Sequence, residues 1–431
     1  MTERLTKARL EVNAMVNAGR RALYAIDQAI EEAQTPAPAP AADIYERGTS
    51  YPTAATVNVG SFEVAPGATE IHVPVKLDRA SPNTVIAHVR CYNGTGGRAR
   101  PDTTKPVFFH PGDRLEQTVT FAVDNMAEGH TVRIVQATVP DGAKRGQNGG
   151  TVKAVVGAGN RALPAGRRPI TFDPHGALAY DASGAECANS GLWLDRLAHG
   201  RTQVGNGETG YYHPDAITTE GDDLILRSYR MDEPKGVGSP AVMYPFAASM
   251  LSGLDARGSG WPKGRPELTF RYGTIEWQVQ MPNRRNSWPA LWLLGVSESG
   301  SALWPPEIDV FEGFYYNGSF KAGSDLSHNL HGGPNGTRTW TRAADRHTMK
   351  DHGLSPTLDT EFHLFACTVT PEWIILFVDG VETFRYANPF NEACSGWYPL
   401  MNVAVKAPMD DPYDQGSGDM TLRRVRIWRE Q

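Results

Sequence analysis

The sequence predicts an all-β protein, with a large two-sheet sandwich at the C-terminal end, a smaller sandwich before it and a single helix in front. Three observations carry this. Glycine (44) and proline (31) punctuate the 431 residues as turns do. Short stretches of alternating apolar and polar residues recur from about residue 50 to the end. Helical periodicity is confined to the first 34 residues. A chain this long also exceeds one ordinary core, so several units are expected.

Residues 1–34 read as a helix. Val16, Leu23 and Ile30 repeat every seven residues, and Leu5, Val12, Gly19 and Ile26 form a second set offset by three. Together they make an a/d seam, interrupted at Arg9 and Gly19, suited to self-association or docking on a larger assembly. The β-branched residues at both seam positions lean towards more than two strands, a trimer for instance. Residues 35–49 begin with TPAPAPAAD, a stiff Pro/Ala linker. Residues 50–158 contain six or seven short strands, among them EIHVPVKL, TVIAHVRCYN and LEQTVTFAV, separated by SPN, HPGD and PDG turns. That spacing fits a β-sandwich of about a hundred residues. Its FFHPGDRLEQTVTFAVDN stretch resembles immunoglobulin-like and Calx-beta modules. Residues 159–169 read as a second linker. From 170 to 431 the strands are longer and richer in aromatics, as in YGTIEWQVQM, PALWLLGV and WIILFVDGVETFRY, and suggest one large sandwich with a concave face.

Composition excludes several roles. The formal net charge is −6 with no basic stripe, which argues against nucleic acid as a partner. No run of eighteen apolar residues exists, so no membrane span is expected, and the N-terminus shows no classical secretory signal. Cys91, Cys187, Cys367 and Cys394 lack metal spacing and read as buried free thiols, with a Cys367–Cys394 or Cys187–Cys394 disulfide left open.

The chemistry concentrates in WPPEIDVFEGF, residues 304–314. Glu307 and Asp309 share one face of a strand, because side chains alternate. Regular alternation would next put Phe311 on that face. Glu312 joins the acids only if one extra residue is accommodated, so a β-bulge is predicted around Val310–Phe311. The two glutamates would then lie roughly 13 Å apart at Cα. Leaning inwards, their carboxyls would approach to about 5–6 Å, the separation of a retaining glycosidase rather than an inverting one. One glutamate would attack the anomeric carbon and the other would serve as acid and base. Asp309 between them would orient the nucleophile and keep its partner protonated.

Several segments, in order, carry a resemblance. EIDVFE resembles the bulged E-[ILV]-D-x-x-E signature of glycoside hydrolase family 16, in its laminarinase-like form. YGTIEWQVQMPNRRNSWPALWLL, GNGETGYY, NLHGG and FHLFACTVTPEWIILFVDGVE are similar to that family's flanking segments, and the likeness runs over 170–431. It implies a β-jelly roll of the concanavalin-like kind and retaining endo-hydrolysis of a β-linked polysaccharide, of endo-β-1,3 or mixed-linkage type. Glu307 would be the nucleophile, Glu312 the acid/base and Asp309 the helper, with His331 near the acid/base. Trp288, Trp292 and Trp304 would offer stacking surfaces, at least one of the three, rather than all, lining the cleft. Asn206 and Glu208, and more weakly Tyr211 and Arg284, would hydrogen-bond the substrate. No cofactor is implied for catalysis; a structural calcium on the convex side is, with ligands that cannot be placed. WPP before Glu307 leans towards the subgroup that depolymerises bacterial exopolysaccharide or capsule. One departure stands out. Where the family often has a glycine pair, this chain has NVAVKAPMDD, which leaves open whether Lys406 meets an acidic or acylated sugar or solvent.

Two other readings stay open: a transglycosylase on the same framework, and an inactive lectin-like glycan-binding protein. An N-terminal helix, a linker and a spacer ahead of a polysaccharide hydrolase fit an extracellular enzyme or a phage virion protein anchored through residues 3–33.

Overall fold

The computed structural model describes residues 57–430, apart from short segments at 60–63, 82–83, 95–96, 101–103, 128–129, 138–150, 156–169, 172–173, 258–259 and 344–345. The expected helix at 1–34 and the linkers at 35–49 and 159–169 lie outside the described residues.

Two eight-stranded sheets stack to make the larger body. The first runs Ile217–Glu220, Asp223–Leu226, Met420–Arg429, Gly273–Gln280, His363–Val369, Trp373–Val378 and Val381–Ala387, with Ala177–Ser183 added along Met420–Arg429. The second runs Gly210–Tyr212, Val242–Ser252, Gly396–Val405, Ser287–Val296, Ala302–Glu312, Asn329–Gly332 and Trp340–Ala343, with Tyr229–Val237 added along Val242–Ser252. Pairing is antiparallel except for Gly210–Tyr212, which runs parallel to its neighbour. Period-two alternation sorts the second sheet. Leu291, Leu293, Met401 and Val403 face the inter-sheet core with Ile275, Trp277, Phe365 and Leu376. Leu294, Tyr398, Leu400 and Ala404 belong to a separate apolar cluster, against which Trp288 and Trp292 pack. The short helix Gly184–Asn189 begins with a capping box between Ser183 and Glu186, which satisfies two backbone donors at its start.

Residues 57–155 form a smaller pair of sheets, ordered Val57–Val59, Ala68–Leu77, Glu116–Met126, Arg98–Arg100 and Thr104–Phe109, Val85–Asn93, Thr131–Ala137, Thr151–Val155. They enclose their own core of Val73, Val75, Val85, Ala87, Val89 and Phe121. Ile170–Thr171, expected to open the catalytic segment, pairs instead with Val85 and Ile86 of this smaller body.

The two bodies meet through buried polar groups. His88 and Asp379, both almost fully buried, approach to 3.8 Å. His363 Nδ1 lies 2.8 Å from Asp379 Oδ2, and the Leu364 amide donates to Asp379 Oδ1. His110 Nε2 reaches Gln278 Oε1 at 2.9 Å, the Thr104 amide donates to Ser355 Oγ, and Lys105 pairs with Glu361. Burial works against a charge on His363, but the Asp379 carboxylate outweighs it and holds that imidazole above its ordinary value. No helix among the described residues is long and apolar enough to cross a membrane. Cys91, Cys187, Cys367 and Cys394 are free.

Candidate active site

The Ala302–Glu312 strand is paired on both sides, and its register contains the extra residue. Leu291 stands opposite Phe311 and Trp292 opposite Asp309, so Val310 has no partner across the Ser287–Val296 strand. Ile308, Val310 and Phe311 all enter the inter-sheet core, each fully buried. Two successive apolar residues pointing inwards turn Glu312 outwards, onto the face already holding Glu307 and Asp309. All three acids line one cleft of about 760 Å³. That volume accommodates several sugar rings of an extended chain.

The neighbours follow from register. Glu307 faces His331 across the sheet, and Asp309 faces Asn329. His331 Nε2 lies 3.1 Å from Asp309 Oδ2 and 3.8 Å from Glu307 Oε1, while its Nδ1 meets Thr341 Oγ1 at 2.8 Å. The Trp304 indole donates to Glu307, and the Asn329 amide donates to Glu312. The Trp288 indole also donates to Glu312 Oε1, at 3.2 Å. Asp309 is almost fully buried between the two glutamates and interacts electrostatically with both.

Burial, then mutual repulsion, raises every member of the trio. Glu307 is pushed up to about 8 by burial, with the Asp309 charge adding to it. Glu312 is pushed up to about 7 by burial, with Glu307 adding. Asp309 stands well above the carboxylate range for the same reason, with Glu312 adding. The donors from Trp304, Trp288 and Asn329 pull the other way. Near neutral pH the floor of the cleft therefore holds both a carboxylate and a carboxylic acid, the pairing that acid–base chemistry needs.

The other expected residues divide. Trp288, Trp292 and Trp304 all line the cleft, against the expectation that not all three would, because 288 and 292 share a strand face and Trp304 stands at the rim. The Trp292 indole donates to Asn402 Oδ1 at 2.7 Å, which fixes its ring in the floor. Asn206 and Glu208 also line the cleft. Glu208 accepts from Asn206 and from the Tyr212 hydroxyl at 2.9 and 2.8 Å, and burial pushes its carboxyl up to about 7.

Three expectations are corrected. Tyr211 does not line the cleft; it turns to the opposite strand face, edge-on to His213, and Tyr212 takes the place. Arg284 is drawn away from the cleft, where its guanidinium donates to the Tyr413 carbonyl and covers the Tyr413 ring. His331 sits beside Glu307 and Asp309 rather than Glu312, because the register makes it Glu307's partner. The sequence reading also missed residues. Asn329 was within the quoted NLHGG stretch, but its reach to Glu312 depends on register. Trp261 is 54 % exposed and lines the cleft, as does Arg338.

Glu307, Asp309 and His331 offer ligand atoms within 4.8 Å of one another, the one gathering of its kind among the described residues. Two carboxylates and an imidazole do not supply the six to eight oxygens that calcium takes.

Residues 254–414 match the sequence model described as Glycosyl hydrolases family 16. The chain is 31 % identical over 160 residues to the "Beta-glucanase" of Rhodothermus marinus, covering 33 % of this chain and 50 % of that one. It is 28 % identical over 260 residues to "Endo-1,3-1,4-beta-glycanase EglC" of Rhizobium meliloti (strain 1021), covering 56 % and 48 %. The chain thus spans about half the length of these relatives. Among solved structures, the catalytic domain of an endo-1,3-beta-glucanase (laminarinase) from Thermotoga petrophila RKU-1 is similar at 20 % identity and a TM-score of 0.43, over 56 % of this chain and 92 % of that one.

Proposed function

We propose that the chain is a retaining endo-β-glycanase acting on a β-1,3 or mixed-linkage backbone by double displacement. The observation that carries this reading is the unpaired Val310, which puts a second glutamate on the same cleft face as the first. Relatives named β-glucanase and endo-1,3-1,4-β-glycanase support a β-linked substrate. An open cleft lined by three tryptophans suits internal positions of a chain, since sugar rings stack their apolar faces on aromatic planes.

In the first step Glu307 attacks the anomeric carbon while Glu312 gives its proton to the leaving oxygen. The glycosidic bond breaks and a glycosyl–Glu307 ester forms. In the second step Glu312, now a carboxylate, takes a proton from water, whose oxygen displaces Glu307 and restores the starting states. Positive charge developing on the sugar ring favours ionised Glu307, so the bound substrate favours the proton on Glu312. Asp309 holds Glu307 in place. The route uses carboxyl chemistry only.

The finer parts of the proposal are a bacterial exopolysaccharide or capsule as the polymer, an immunoglobulin- or Calx-beta-like spacer at 50–158, and oligomerisation or virion anchoring through residues 3–33. Digestion of a panel of β-1,3, mixed-linkage and bacterial exopolysaccharides tests the activity. The parent should shorten at least one polymer, and Glu307→Gln should lose roughly 10³-fold or more. Equal rates for parent and variant would refute chemistry at this site. Light scattering on the full chain and on a chain lacking 1–44 tests assembly.

A further inference from the structure

Two cations flank the acidic floor without a carboxylate ion-pair partner among the described residues. Lys406 follows the Gly396–Val405 strand, beside Trp288 of the cleft wall. Its ammonium lies 4.5 Å from the Tyr316 ring centre and 5.4 Å from that of Trp288. Trp288 is the residue whose indole donates to Glu312. The lysine stem passes Gly207, whose left-handed φ of 80° and missing Cβ leave room; an added Cβ would stand 3.4 Å from Lys406 Cε. Gly207 sits between Asn206 and Glu208, both in the cleft wall. Of these, Glu208 is engaged by Asn206 and Tyr212, and the Lys406 charge acts on it without a direct ion pair.

Arg338 also lies in the cleft wall, exposed, beside Asn335 and Gly336. Those two residues hold the backbone of Trp304, the tryptophan bonded to Glu307. Arg338's charge reaches Asp309 and acts to lower its pKa.

Cations have a cost at a glycosidase cleft unless they meet something. The oxocarbenium-like transition state gains nothing from added positive charge nearby. Aromatic rings hold an ammonium in position yet leave its outer side open to an anion. The chain as a whole is net −6, so a polyanion would be repelled without local cations at the site.

We infer that Lys406 and Arg338 read anionic substituents, carboxylate or sulfate, on the polysaccharide. The inference rests on the glycanase reading and narrows its substrate class from β-glycans in general to acidic ones.

The test uses one backbone in three forms: laminarin, laminarin oxidised to carboxylates at C6, and sulfated laminarin. The quantity read is the ratio of kcat/KM on each charged form to that on the neutral form, at low salt. The parent should give a ratio above one, on whichever derivative carries the anion the site accepts. Lys406→Met and Arg338→Met should each cut that ratio about two- to fivefold, the range of one partly exposed ion pair. Lys406→Arg should retain it, and added salt should erase it. Ratios at or below one, or ratios unmoved in both Met variants, would overturn the inference while leaving cleavage of neutral laminarin, and hence the glycanase reading, intact. Gel retardation of Glu307→Gln in each polymer gives the same comparison for binding alone. Stronger retardation by a charged form, lost when both cations are replaced, supports the inference even if laminarin is not cleaved; equal retardation overturns it.

Discussion

Glu307, Asp309 and Glu312 carry the sharpest predictions because burial fixes their protonation. A carboxyl held above its ordinary value binds its proton more tightly in the folded state. That proton is retained in the folded chain but released from the unfolded one as pH rises from about 4.5 towards about 8, so folding stability falls across this window. Glu307→Gln removes the penalty. Its melting temperature should match the parent's near pH 4 and exceed it by roughly 2–8 °C near pH 8, measured by scanning calorimetry. A constant difference across pH would contradict the buried, raised carboxyl. Asp309→Asn removes a negative charge that raises Glu307, the higher of the two values, so the basic limb of kcat/KM should move to lower pH while kcat falls. Asn329→Leu removes a donor that lowers Glu312, the lower of the two, so the acid limb should move to higher pH. At this scale the three acids were legible because strand parity and the need for one extra residue are properties of the sequence itself. Tyr211 and Arg284 were misplaced for the complementary reason. Which face a short strand presents depends on its partner, and Arg284's course depends on Tyr413, 129 residues away.

The Ala302–Glu312 strand shows how an element reconciles acids with a core. Ile308, Val310 and Phe311 supply the buried apolar side, and the acids occupy the other. The apolar-rich strands Gly273–Gln280, His363–Val369 and Met420–Arg429 stood out in the sequence for the same periodic reason. The Tyr229–Val237 strand did not, since YRMDEPKGV has no apolar alternation and is held by pairing with Val242–Ser252 and by Arg230's bonds to the Met409 and Asp411 carbonyls. The VDG turn after Trp373–Val378 also reads as a plain hairpin, yet Asp379 within it is the hub between His363 and His88. Because Asp379 raises His363, the pair stabilises the fold most below the ordinary histidine value, and that contribution is lost as pH rises through the folded value of His363. Asp379→Ala leaves buried His363 without its acceptor and His88 without the neighbouring carboxylate, and should cost about 3–5 kcal/mol, read by denaturant titration at pH 6. A loss below about 1 kcal/mol would show that the junction contributes little.

Across the whole molecule, residues 50–431 form one compact unit although they contain three separate apolar clusters, one in the smaller body and two in the larger. The sequence placed two sandwiches in series but gave no sign that they dock, because the docking groups (His88, His110, Gln278, Asp379) are scattered polar residues without periodicity. The buried polar junction predicts that the two bodies unfold together, as one calorimetric transition at pH 6. Two resolved transitions would mean that the smaller body is an independent spacer. The cleft lies on the second sheet, while the docking groups Gln278, His363 and Asp379 belong to the first sheet and the turn at its edge. Binding of a long polymer and attachment of the smaller body therefore do not compete for the same surface.

The central claim is that Glu307 becomes covalently bonded to sugar during turnover. Incubation of the parent with a 2-deoxy-2-fluoro-β-laminaribiosyl fluoride, followed by peptide mass spectrometry, tests it directly. The expected result is a glycosyl adduct on Glu307. An adduct on Glu312 or any other residue, or turnover of the reagent with inverted configuration and no adduct, would contradict it.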